Sequence, residues 1–238
     1  MTADGRTLTY FVAMSLDGFI AGPDGGDPSS WWPITEDYVS FLREEYPETL
    51  PGPAREAMGL TASGRHFDTV VEGRRSFEVG LAAGLSDAYP HLRHLVISSS
   101  LTAKPDSAVE VIGEDPVGRI RELKAEPGLG IWLVGGGAVA ASLRSEIDEL
   151  IIKLAPISLG AGVPLWGTES SFDSTGWIRK EVRTLPGGMT LLRFVRHRGT
   201  APQERAHRSR ARNARREGPP RRAPGRPGRE RSPREPGL

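Results

Sequence analysis

The 238-residue chain contains no cysteine, which excludes disulfide frameworks, thiolate metal sites and thiol nucleophiles. It also lacks any apolar run approaching the roughly 18 residues needed to span a bilayer. Its first residues, MTADGRTLTYF, carry no basic stretch followed by an apolar one, so cytoplasmic residence is the expectation. The five histidines, His66, His91, His94, His197 and His207, show no metal-ligand spacing; they read as surface groups, and no metal site is expected. From Gly199 to Leu238 the chain has no aromatic residue and one large aliphatic side chain, Leu238 itself, against twelve Arg, four Glu, seven Pro and five Gly. Such a segment buries too little apolar surface to offset the entropy of ordering it, and is expected to be a disordered tail.

The formal net charge of +1 therefore conceals two unlike parts. The tail carries +8, and residues 1–198 carry 19 basic against 26 acidic side chains, an acidic body with a basic appendage. Within the body, Leu8 to Met14 reads as a buried strand, and Tyr38, Phe41, Leu42 and Tyr46 lie at helical spacing behind Thr35 as N-cap. Phe67 to Val71, Leu92 to Ser98, Gly130 to Val134 and Glu149 to Ala155 read as further strands. Asp115 followed by Pro116 predicts a helix start, with Val117, Ile120 and Leu123 facing inward. Trp177 to Thr184 and Met189 to Arg196, joined by Pro186-Gly187-Gly188, predict a hairpin. Alternating strands and helices with buried apolar runs argue for an α/β fold: a mostly parallel central sheet flanked by helices, ending in an antiparallel hairpin.

Three segments sit where open α/β sheets bind ligands, at the C-terminal ends of predicted strands. Gly135-Gly136-Gly137 lets backbone approach a phosphate closely and leads into a helix through Ala138 and Val139. The sequence is not GxGxxG, which disfavours the usual dinucleotide fold. Gly73-Arg74-Arg75-Ser76 pairs two guanidiniums with a hydroxyl, suiting a pyrophosphate or a 2′-phosphate. Ser98-Ser99-Ser100 offers hydroxyl donors, and as a turn it can equally cap itself. The three together point to a phosphate-rich cofactor.

Ala13 to Ala21 (AMSLDGFIA), Gly73 to Phe77, Val96 to Ser99, Val134 to Gly137 and Ala155 to Trp166 (APISLGAGVPLW) fall in the order seen in dihydrofolate reductase. Over roughly Leu8 to Arg198 the chain resembles that family, and most closely the branch containing the C-terminal reductase domain of the riboflavin-biosynthesis bifunctional enzyme. The resemblance implies NADPH bound across the strand ends. Ala13 and Ile20 would meet the nicotinamide, Arg74, Arg75 and Ser76 the phosphates, Ser98 to Ser100 the 2′-phosphate side, and Gly135 to Val139 the pyrophosphate. It implies a mobile lid from Gly18 to Trp32 and an acidic residue on the first helix, Asp37, as the catalytic group beside a pterin-like or ribosylaminopyrimidine-like heterocycle; Glu36 competes for that role. Asp17, in the Leu-Asp-Gly turn, is expected to fix its loop through local backbone N–H groups. The deaminase domain of the bifunctional enzyme needs cysteines this chain lacks. The alternative reading is a degenerate nucleotide-binding body whose basic tail contacts nucleic acid or an acidic partner. By the same resemblance, whose branch is often dimeric, Ile151 to Leu165 and the final hairpin could supply the shared surface of a homodimer.

Overall fold

Successive strand side chains alternate between faces, and from Leu8 to Met14 both sets are apolar apart from Thr9. Leu8, Tyr10 and Val12 enter one core cluster and Phe11 enters the other, so this strand is buried on both sides. The computed structural model describes residues 5–26, 28–102, 107–168 and 172–198; the expected tail lies outside the described residues.

In chain order the strands are β1 (Leu8–Met14), β2 (Phe19–Ala21), β3 (Phe67–Gly73), β4 (Arg93–Ile97), β5 (Glu110–Ile112), β6 (Gly130–Gly135), β7 (Glu149–Leu154), β8 (Val163–Pro164), β9 (Trp177–Thr184) and β10 (Thr190–Arg196). The helices are α1 (Glu36–Glu45), α2 (Gly52–Ala57), α3 (Arg74–Ala82), α4 (Pro116–Ala125) and α5 (Gly137–Ser142). Eight strands form the main sheet in the order β5-β4-β3-β6-β1-β7-β10-β9. The first six run parallel, and β10 and β9 close the sheet antiparallel, as the hairpin pattern predicts.

Ile120 and Leu123 of α4 and Ala140 of α5 cover one face, over Leu8, Tyr10, Leu133 and Ile152. Tyr38, Phe41 and Leu42 of α1 cover the other, over Phe11, Trp132, Ile151 and Leu191. Asp115 caps α4 as expected, its carboxylate accepting the Gly118 N–H at 2.9 Å. Thr35 holds the N-cap position of α1 without a side-chain cap bond.

The structure corrects several expectations. The small sheet of β2 against β8 has no alternation to announce it. Helix α5 begins at Gly137, inside the glycine run. Ile151 and Ile152 lie in β7 between β1 and β10 and are buried in the sheet, so that part of the expected dimer surface is occupied by the protein's own core. The outer strand β9 is exposed along most of its length, with Ile178 and Val182 open to solvent.

Candidate active site

Strands β3, β4 and β6 lie side by side and parallel, so their C-terminal ends open on one edge, and the three predicted segments follow from that edge. They line one cleft of about 1850 Å³, larger than an ordinary small-molecule pocket. Ala13 and Ile20 line it from β1 and β2. Gly73, Arg74, Arg75 and Ser76 line it from the start of α3. Ser98, Ser99 and Ser100 do so after β4, and Gly135, Gly136, Gly137, Ala138 and Val139 from the turn into α5. Every expected cofactor position is thus on a wall of the same cleft.

Their local chemistry differs. A Cβ on Gly135 or Gly136 would meet no atom within 4 Å, so backbone lies bare toward the cleft there. A Cβ on Gly137 would collide with the Pro164 carbonyl and the Gly167 backbone, so glycine is required for α5 to approach β8. The Arg74 guanidinium is held by Glu78 at 2.6 Å and by Ser100 Oγ at 2.7 Å. Arg75 is exposed and makes no hydrogen bond or ion pair among the described residues. Two hydroxyls are already engaged: Ser98 Oγ accepts the N–H groups of Ser100 and Leu101, and Ser76 Oγ donates to Glu72 at 2.6 Å.

Asp37 is not brought into the cleft. Its carboxylate accepts the Gly187 N–H at 2.9 Å and so pins α1 to the hairpin turn. That bond, with the Thr35 hydroxyl beside it, holds its carboxyl below the usual carboxylate range. Its carboxylate is committed to that turn, apart from the cleft that the other expected residues line. The next residue, Tyr38, lines the cleft instead, and burial raises the pKa of its phenol. Asp17 reaches further than its own turn. It accepts from Ser15 Oγ at 2.6 Å and from the N–H groups of Gly160 and Leu159 at 2.7 and 3.0 Å, which pulls its carboxyl down to about 2.

Three buried ionisable groups escaped the sequence reading, two of them, Glu72 and Lys153, on the cleft wall. His94 is buried rather than superficial, 1% exposed. Its Nε2 meets Glu72 at 2.8 Å and its Nδ1 meets Asp87 at 2.7 Å. Burial opposes its charge, but the two carboxylates outweigh that and raise its pKa. The signal was present in the alternation of β4, which puts His94 on the same side as Val96. Glu72 closes β3 and lines the cleft at 3% exposure. Lys153, set inside the apolar run ELIIKLA, shares a face with Ile151 and is 8% exposed. Burial brings its pKa down to about 7.

Residues 6–191 match the family described as the RibD C-terminal domain. The chain is 28% identical over 163 residues to the uncharacterized protein YwjB of Bacillus subtilis (strain 168), covering 68% of this chain and 83% of that one. It is 24% identical over 173 residues to the uncharacterized protein YyaP of the same organism, covering 68% and 80%. Among solved structures it superposes on a "Putative riboflavin biosynthesis protein" from Shewanella sp. PV-4 with a TM-score of 0.58 at 23% identity, covering 81% of this chain and all of that one. A pyrimidine reductase-like protein from Corynebacterium diphtheriae gives 0.50 at 17% identity, covering 82% and 93%.

Proposed function

From the premise that this chain belongs to the RibD C-terminal domain family, a reductase-like family, we propose that it is an NADPH-dependent reductase of a small planar heterocycle, pterin-like or ribosylaminopyrimidine-like. The observation that carries this reading is the convergence of Gly73–Ser76, Ser98–Ser100 and Gly135–Val139 on one cleft. Adjacent strands are about 4.8 Å apart, and four such steps separate β4 from β7. The cleft edge therefore runs for roughly 19 Å, long enough for an extended dinucleotide with a ring lying beyond it.

The residues present fit that cofactor. Bare backbone at Gly135 and Gly136 accommodates a pyrophosphate, and the unpartnered Arg75 is available to a phosphate oxygen. When bound, NADPH supplies the hydride; the protein orients the partners and excludes water. The names of the two structural neighbours, one tied to riboflavin biosynthesis and one to pyrimidine reduction, support a nitrogen heterocycle as substrate. Among the described residues no helix is long and apolar enough to cross a membrane, in keeping with action in the cytoplasm. A homodimer would use the exposed edge of β9, since β7 is committed to the core.

The test is a fluorescence titration of the full chain with NADPH. Saturable binding at micromolar or lower concentration is expected, with NADH weaker. An Arg75→Ala variant should lose about tenfold in NADPH affinity, near 1.4 kcal/mol. Absence of NADPH binding at millimolar concentration would overturn the reading.

A further inference from the structure

Lys153 is a buried cation with no charged partner. Among the described residues its Nζ makes no hydrogen bond or ion pair, and its recorded contact is the face of the Phe11 ring, 3.9 Å from the centroid. It lines the cleft, as do Phe11, Tyr38, Leu42, Tyr89 and Trp132. It sits beside Ala13 across β1 and beside Leu191 across β10. On this side of the sheet the buried carboxylates of the packed elements hold other partners, Glu48 keeping one oxygen, Oε2, buried without a hydrogen bond among the described residues. Glu149 of β7 is bonded by Arg193 of β10, and Glu72 of β3 by His94 of β4 and by Ser76. Glu48, before α2, accepts the His66 and Phe67 N–H groups, Asp37 of α1 accepts that of Gly187, and Tyr38 and Tyr89 are held neutral by burial. Burial alone shifts Lys153. An unpaired buried ammonium is expensive unless something occupies the space before it.

Building on the reductase reading, we propose that Lys153 faces the substrate: its ammonium donates to a ring carbonyl or imine nitrogen of a planar heterocycle seated among the aromatic walls, and supplies the proton that accompanies reduction. The step balances. When bound, the reduced nicotinamide would supply the hydride that makes the C–H bond at the carbon of the C=N or C=O group, whose π pair moves to nitrogen or oxygen. That atom takes the proton from Lys153 Nζ, and the neutral amine is reprotonated from solvent. A donor whose pKa lies near neutrality is matched to this task.

Three measurements on the full chain test it, with lumazine, a pteridine-dione, as the ring probe. In ¹³C-dimethylated protein, the resonance absent from Lys153→Met should titrate near pH 7; titration near 10 would overturn the proposal. Lumazine binding, followed by its fluorescence, should weaken tenfold or more in Lys153→Met and be partly restored in Lys153→Arg. Equal affinity of wild type and Lys153→Met, or no binding by wild type at millimolar lumazine, would overturn it as well. NADPH binding should be unchanged within about twofold in both variants. If the wild type fails to bind NADPH while lumazine binding still depends on Lys153, the reductase reading falls and the ring-facing lysine stands.

Discussion

In the unfolded chain Lys153 titrates at its ordinary 10.5 and in the folded protein near 7. Between those values the unfolded chain binds the extra proton, so stability rises with pH there; at lower pH the whole penalty of the buried charge is present. Lys153→Met should accordingly be more stable than wild type at pH 6, on the order of 1–4 kcal/mol, with the gap closing toward pH 10.5. Denaturant unfolding at both pH values checks this, and equal stability at pH 6 refutes it. His94 has the opposite sign. Its folded pKa is raised, so its contribution is complete below about 6.5 and is lost as pH rises through the folded value. Replacing Glu72 by Gln keeps the shape and removes the charge. It should cost about 1–3 kcal/mol at pH 6 and distinctly less at pH 9, as read by the same unfolding curves.

At the scale of elements, two neighbouring glycines separate folding from binding. Gly136 has φ −90°, which any residue adopts, and a Cβ there meets nothing. Gly136→Ala should keep the wild-type melting temperature yet lose about tenfold in NADPH affinity. Gly137→Ala forces backbone apart and should cost about 1–3 kcal/mol of stability; thermal melts and cofactor titrations distinguish the two. The glycine run itself was legible from sequence, because a strand-type apolar run ended in it. So were the cap at Asp115 and the turn at Gly187-Gly188, each a local signal. The β2–β8 pairing was not, because it joins short segments some 140 residues apart with no alternation of their own. The bond from Gly187 to Asp37 was not legible for a related reason: an acidic first helical turn looks the same whether its carboxylate faces a ligand or a distant backbone N–H. Lys153 was visible as a cation within a strand, but which face it takes depends on register.

Across the whole molecule, a basic segment at residues 199–238 follows an acidic body. Removing those residues changes the formal charge from +1 to −7. The truncated chain should keep its melting temperature and NADPH affinity while losing any sequence-blind, salt-sensitive retention on RNA or DNA. Filter binding of both forms at low and high salt reads this out, and equal retention would show that the tail has no such role. The body holds a tighter relation between its parts. Beside Gly137, the Pro164 carbonyl of β8 leaves no room for a side chain. β8 pairs with β2, and the Leu165 N–H reaches the Gly18 carbonyl at 3.1 Å. Close-packed parts transmit displacement instead of absorbing it, so an anion that shifts α5 must also push β8, and β8 carries β2 with it. A displacement of α5 is thereby geared to the Gly18 turn on the far side of β8.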